Sequence, residues 1–229
     1  MITLSGINRV YRSEDIETTA LCSIDLEVQA GEFVAIMGPS GCGKSTLLNV
    51  LGTLDRPSSG SYHFEGENLT DRKEAALARH RRAHLGFVFQ SFNLIDDLTI
   101  EENTALGLRY RRIEAKAGRE RVAEAMDRVG ISHRARHYPH QLSGGQQQRA
   151  AIARAIVGTP KLLLADEPTG NLDTENGLQV MEILAGLNAE GATIIMVTHS
   201  PSHADYAKRQ VGMLDGRIVQ SVRRVLQEV

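Results

Sequence analysis

The stretch "EFVAIMGPSGCGKSTLLNVLG", Glu32 to Gly52, carries three textures in sequence: an almost continuously apolar run, a glycine-rich turn, and a helically spaced segment that stops at Gly52. The apolar run, 32 to 37, suits a strand buried on both faces. The turn fits GxxxxGK[ST] through Gly38, Gly43, Lys44 and Ser45, between strand and helix as the mechanism requires. Glycines let the backbone wrap closely around a phosphate. The N–H groups of residues 40 to 46 point inward, Lys44 adds a mobile positive charge, and Ser45 can ligate magnesium. Binding of a nucleoside triphosphate is expected.

Working outward, residues 2 to 8 and 22 to 28 alternate apolar and polar side chains and predict half-exposed strands. Strand character returns at 60 to 66 and 85 to 90. From about 91 to 158 the texture is helical, with Val122, Met126 and Val129 on one stripe, which predicts a helical lobe. Buried-strand patterns resume at 161 to 166 and 193 to 199, separated by a helical stretch around 175 to 189. Parallel strands with crossover helices are implied, an α/β fold. Asp215-Gly216 between two short apolar runs predicts a two-residue hairpin.

Two further segments carry chemistry. "LLLADEPTGNLD" places acids at the carboxyl end of a buried strand, where open parallel sheets bind ligands. Asp166 is the natural magnesium partner through water, and Glu167 can accept a proton from attacking water. "LSGGQQQRAAIARAI", Leu142 to Ile156, reads as a turn opening into a helix capped by Ser143, a second anion-binding design. Taken alone, it is also a helix start of purely structural use.

The 229 residues, 41% hydrophobic, suffice for one large domain or a core with a smaller lobe. A formal charge of −2 gives no reason to expect nucleic acid. Cys22 and Cys42 form no CxxC pair, so a disulfide framework or zinc site is not expected, and a reducing cytosol fits. "MITLSGINRVYRSED" lacks the blocks of a signal peptide, and no segment reaches 18 continuous apolar residues, so membrane insertion is not expected. The basic stretch "RYRRIEAKAGRER" is interspersed with glutamates and reads as a solvated helix face.

In their order along the chain, these motifs resemble the ATP-binding subunits of ABC transporters. Walker A is Gly38, Pro39, Ser40, Gly41, Cys42, Gly43, Lys44, Ser45 and Thr46; Gln90 looks like the Q-loop glutamine; Ser143, Gly144, Gly145 and Gln146 belong to the LSGGQ signature. "LLLADE" looks like Walker B, "NLD" ending at Asp173 like the D-loop, and His199 like the switch histidine. Tyr11 sits where the family stacks an aromatic ring on adenine; the alternative is a surface tyrosine at a strand end. "LGTLDRPSSG", "QSFNLI" and "ADEPTGNLD" are similar to the lipoprotein-releasing and macrolide-exporting branch.

The resemblance implies an α/β P-loop NTPase core of ABC-ATPase type with an N-terminal antiparallel β element, residues 1–90 and 159–229, and an inserted helical signature subdomain at 91–158. It implies ATP and Mg2+ as ligands, with Ser45, Gln90 and Asp166 at the metal. Catalysis falls to Glu167, His199 and Gln90. Two copies are implied to sit head to tail, each signature closing over the nucleotide held by the other copy's Walker A loop. A separate transmembrane permease is implied as partner, with lipoprotein, antibiotic or peptide cargo, and a peripheral place on the cytoplasmic face of the membrane. Phe92, Leu94, Ile95 and Leu98 either form a groove for a permease helix or pack the lobe. A soluble ABC ATPase acting on DNA or ribosomes is the competing reading. It is disfavoured by the missing coiled-coil insertion, zinc cysteines and second cassette. The Cys42 thiol is expected to be shielded from alkylation by bound nucleotide, with Cys22 as control.

Overall fold

The computed structural model describes residues 1–12, 17–109 and 114–223. In chain order the elements are β1 (Ile2–Arg12), β2 (Glu17–Val28), β3 (Phe33–Met37), α1 (Lys44–Leu51), β4 (Ser59–Phe64), β5 (Glu67–Asn68), α2 (Glu74–His84) and β6 (Leu85–Phe89). There follow α3 (Ile100–Ala105), α4 (Ala115–Arg128), α5 (Gly144–Ile156), β7 (Leu162–Asp166), α6 (Thr174–Ala189), β8 (Thr193–Val197), α7 (Pro201–Ala204), β9 (Arg209–Leu214) and β10 (Arg217–Arg223).

Six strands form one sheet in the order β10-β9-β3-β8-β7-β6, and β2-β1-β4-β5 form a second, antiparallel sheet. In the larger sheet only the β9–β10 pairing is antiparallel. That pair is closed by Asp215 and Gly216 at φ of 45° and 74°, the left-handed geometry of a tight hairpin.

The continuous apolar runs are explained by the two faces they must cover. Phe33, Ala35, Leu163, Ala165, Ile194 and Met196 point into one core, beneath α4, α5 and α6. Their neighbours Val34, Ile36, Leu162, Leu164, Ile195 and Val197 point into a second core, beneath the antiparallel sheet and α1. Successive side chains on a strand alternate faces, so a strand covered on both sides has no polar position to offer. Truncating one of the leucines or isoleucines, or Met196, to alanine costs roughly 2–5 kcal/mol. Val122, Met126 and Val129 lie buried in the first core, which therefore runs without a break from the sheet into the segment 91–158.

Helix α2 was not anticipated. Only Leu77 and His80 of its eleven residues are buried, and a histidine in place of an aliphatic side chain removes the apolar period. Of the basic stretch 109–121, residues 110–113 lie outside the described residues; Glu114 to Lys116 and Arg119 to Arg121 are exposed, as a solvated face requires. Leu94 packs against the first core, while Ile95 is exposed.

His80 stands edge-on to Phe64 at 4.6 Å and 5.0 Å from the His84 ring, with its Nε2 buried and unpartnered. Burial, then the charge of His84, lowers its pKa to about 4, against weaker opposition from Glu67 and Glu65. The unfolded chain therefore binds more protons between the ordinary histidine value of 6.5 and about 4, and stability is lost as pH falls through that window. Urea midpoints measured between pH 7 and pH 4.5 are expected to fall less steeply in His80→Leu than in the wild type.

Candidate active site

The loop between β3 and α1 closes on its own lysine. Lys44 Nζ donates to the carbonyls of Gly38 and Pro39 at 2.9 and 2.8 Å and is buried. Two glycines are sterically required. A side-chain carbon on Gly43, at φ 101°, would lie 2.4 Å from the Ala20 carbonyl oxygen, and one on Gly38 would lie 2.2 Å from that of Met213. Gly43 caps α1 without any side-chain hydrogen bond, so the first-turn N–H groups are left for a ligand.

The Cys42 expectation needs correction. Its side chain is 4% exposed and packs in the core beneath the antiparallel sheet, 3.9 Å from Lys44 Nζ. The apolar core, not a ligand, shields the thiol, so alkylation cannot report on nucleotide. Its N–H donates to the Pro39 carbonyl at 3.4 Å, within the turn of the loop.

At the end of β7, Ser45 Oγ donates to Asp166 Oδ1 at 3.3 Å. Burial pushes the Asp166 carboxyl above the ordinary aspartate range; Ser45 pulls it back, Glu167 adds to the rise, and Lys44 opposes it. The half-buried Asp166 carboxylate and the exposed Ser45 hydroxyl are hard oxygen donors that fit Mg2+. The described residues hold no cluster of three or more His, Cys, Asp or Glu side chains able to hold a metal.

Glu167 occupies φ 47°, uncommon for a residue with a side chain. Its N–H donates to Val197 O at 3.0 Å, and its Oε2 lies 2.6 Å from His199 Nδ1. The His199 side chain is 70% exposed.

Gln90 leaves the end of β6, but its amide is bonded to Asn171: Nε2 donates to Asn171 Oδ1 at 3.0 Å, and Asn171 Nδ2 donates back to the Gln90 carbonyl at 3.1 Å. Asp173 caps α6 by accepting from Asn176 N at 2.8 Å, and those bonds hold its carboxyl below the ordinary range. Ser143 caps α5 in a reciprocal box with Gln146. Gly145 is buried, and a side-chain carbon there would lie 2.0 Å from Asn176 Oδ1. Substitution of Gly145 therefore disturbs packing within the chain before it meets any phosphate.

Tyr11 is held rather than free. Its hydroxyl donates to Asp55 Oδ2 at 2.7 Å, and the Arg9 guanidinium, itself 2.8 Å from Asp55, covers the ring at 4.3 Å. The residue as a whole remains 41% exposed.

Sequence reasoning missed the supports behind these groups. Gln148 is fully buried on α5, and its Nε2 donates to Pro168 O at 2.5 Å and Phe89 O at 3.3 Å. One amide thus joins the signature helix to the strand before Gln90 and the turn after Glu167. The only available signal was a polar residue on the helix's apolar side. Gln148→Leu, which leaves both carbonyls without this donor, is expected to cost about 1–3 kcal/mol in urea unfolding.

Comparison with known proteins agrees with this geometry. The ABC transporter family matches residues 21–170. An ABC transporter ATP-binding protein of Methanocaldococcus jannaschii is 46% identical over 224 residues, spanning 98% of this chain and all of the relative. The macrolide export ATP-binding/permease protein MacB of Escherichia coli is 45% identical over 219 residues, 96% of this chain but 34% of that protein. Among solved structures, the ATP-binding cassette MJ0796, a dimer in a post-hydrolysis state with ADP and Pi, superposes with TM-score 0.91 at 39% identity, covering 99% of this chain and 100% of that one. With Walker A, Walker B and signature segments gathered on one fold, the chain belongs to the ABC transporter family as an ATP-hydrolysing cassette.

Proposed function

We propose that the chain powers a membrane transporter as a pair of copies arranged head to tail around two Mg-ATP. The observation that carries this reading is the meeting of Lys44, Ser45, Asp166, Glu167 and His199 at the carboxyl ends of neighbouring strands, while the signature forms the start of α5. In this reading residues 1–90 and 159–229 form the nucleotide-binding core and 91–158 the signature subdomain, which Gln90 couples to nucleotide state.

The Walker A N–H groups and Lys44 bind the phosphates, and Tyr11, backed by Arg9, stacks on adenine. Ser45, Asp166 and Gln90 hold Mg2+. When bound, the ion neutralises charge on the transferring phosphate. For that contact Gln90 exchanges its bond to Asn171. Glu167 Oε2 takes the proton from the attacking water, and His199, bonded to that carboxylate, orients it and reaches γ-phosphate through its other ring nitrogen. Ser143, Gly144, Gly145 and Gln146 of one copy present their helix start to the other copy's ATP, with Asp173 beside the seam.

A membrane permease is the second partner. The E. coli relative joins ATP-binding and permease parts under one name, and this chain matches about a third of it. A groove of about 460 Å3 lined by Leu54, Phe87, Leu106 and Arg154 offers a seat for a cytoplasmic segment of such a permease. Of the lipoprotein, antibiotic or peptide cargo that the sequence resemblance implies, the antibiotic class is the one supported by the name of the macrolide-exporting relative. No described helix is long and apolar enough to cross a membrane, so membrane attachment runs through the permease, on the cytoplasmic face. No nucleic-acid partner is proposed.

Glu167→Gln keeps the shape of the side chain and removes the proton acceptor. Steady-state ATPase measured with the permease partner is expected to fall by roughly 10² to 10⁴ fold, with ATP affinity retained and a closed dimer trapped. Hydrolysis at the wild-type rate with no closed dimer would overturn both the base assignment and the shared site.

A further inference from the structure

Two histidines leave the carboxyl end of β8 and meet the same turn. His199 engages Glu167 at the start of that turn, and His203, near the end of α7, engages Thr169 two residues later, with Nδ1 2.8 Å from Thr169 Oγ1. Thr169 is buried, 8% exposed. The His203 ring also lies over α6, with Cε1 and Nε2 both 3.8 Å from where a side-chain carbon on Gly177 would sit. Helix α7 is itself fixed at its start by Ser200, which accepts from the His203 N–H at 3.4 Å. His203 therefore bridges α7, the turn after β7, and α6.

The turn needs such bracing. Glu167 sits at φ 47°, a conformation that persists only where the surroundings over-determine it. Gln148 holds Pro168 through its carbonyl from the α5 side, and His203 holds Thr169 through its side chain from the α7 side. Burial, then the charge of His199, keeps the His203 pKa below the ordinary histidine value, which favours the neutral ring. A neutral ring either accepts from the threonine hydroxyl or donates to it, and both arrangements satisfy the pair.

We infer that His203 is a positioning residue for hydrolysis: its hydrogen bond to Thr169 fixes the turn that presents Glu167 to the attacking water. The inference rests on the reading of Glu167 as general base. Small displacements of a base from its water are costly, up to about a hundredfold for 1 Å. One neutral hydrogen bond behind the turn is expected to be worth about tenfold in kcat.

The test is steady-state ATPase of the full chain with its permease partner, beside ATP titration and urea unfolding. His203→Leu is expected to lower kcat about tenfold, with KM and ATP affinity within about twofold of wild type. His203→Asn, which places a polar atom near the Nδ1 position, restores most of the rate. Thr169→Val matches His203→Leu, Thr169→Ser stays near wild type, and the double variant Thr169→Val/His203→Leu is no slower than either single one. An unchanged kcat in His203→Leu, an asparagine variant as slow as the leucine one, or additive losses in the double variant would each overturn the inference. Glu167→Gln separates the two failures. If it is inactive while His203→Leu is fully active, only the positioning role is lost; if it is itself active, the base assignment falls first.

Discussion

Backbone pairing between parallel strands sets the geometry on which the site depends. Phe89 pairs with Asp166, Asp166 with Val197, and Val197 with Ile36, so four strand ends stand in one row across the sheet. The residues one or two positions beyond them, Gln90, Glu167, His199 and Gly38, emerge at the same end of the sheet. No side-chain contact between these groups could produce that alignment, because they are distant in sequence and each is short. The ladder supplies it, and the two cores hold the ladder from either side. A shift of one residue in any register would also turn every buried side chain to the wrong face, so packing protects the alignment of the site.

The turn after β7 is where alignment becomes chemistry. Its first residue carries an unfavourable backbone angle and a carboxylate bonded to His199, and its interior is held by side chains from two different helices. Strain of this kind costs on the order of 1–3 kcal/mol and is tolerated where neighbouring bonds leave the chain no alternative. The same turn reaches Gln90 through Asn171, so the groups assigned to metal, water and lobe are joined by hydrogen bonds before any ligand arrives.

The two helix starts proposed to face phosphate are prepared differently. That of α1 has a glycine cap with no side-chain bond, and its lysine rests on loop carbonyls that a phosphate can displace. That of α5 is already capped by Ser143 and Gln146, and Gly145 is pressed against Asn176. In the function proposed above, the first accepts its ligand within one chain. The second makes few demands until a nucleotide is brought to it, which fits a surface used between copies.

The sequence alone determined the local chemistry. Glycine spacing before a helix, apolar runs flanked by turns, Asp215-Gly216 at a hairpin and Ser143 before a helix all act over a few residues, through steric limits and nearby hydrogen bonds, and each is visible in the order of residues. What it hid depends on residues far apart. Cys42 faces a core assembled from other strands, α2 buries a histidine where a periodic apolar stripe would have marked it, and Gly145 meets Asn176 across 31 positions. Gln148 and His203 look like ordinary polar residues on helices until Phe89, Pro168 and Thr169 arrive beside them. Only the tertiary structure decided these roles, because a buried hydrogen bond is specified by the position of its acceptor, and that position is fixed by packing and strand register rather than by neighbouring residues in the chain.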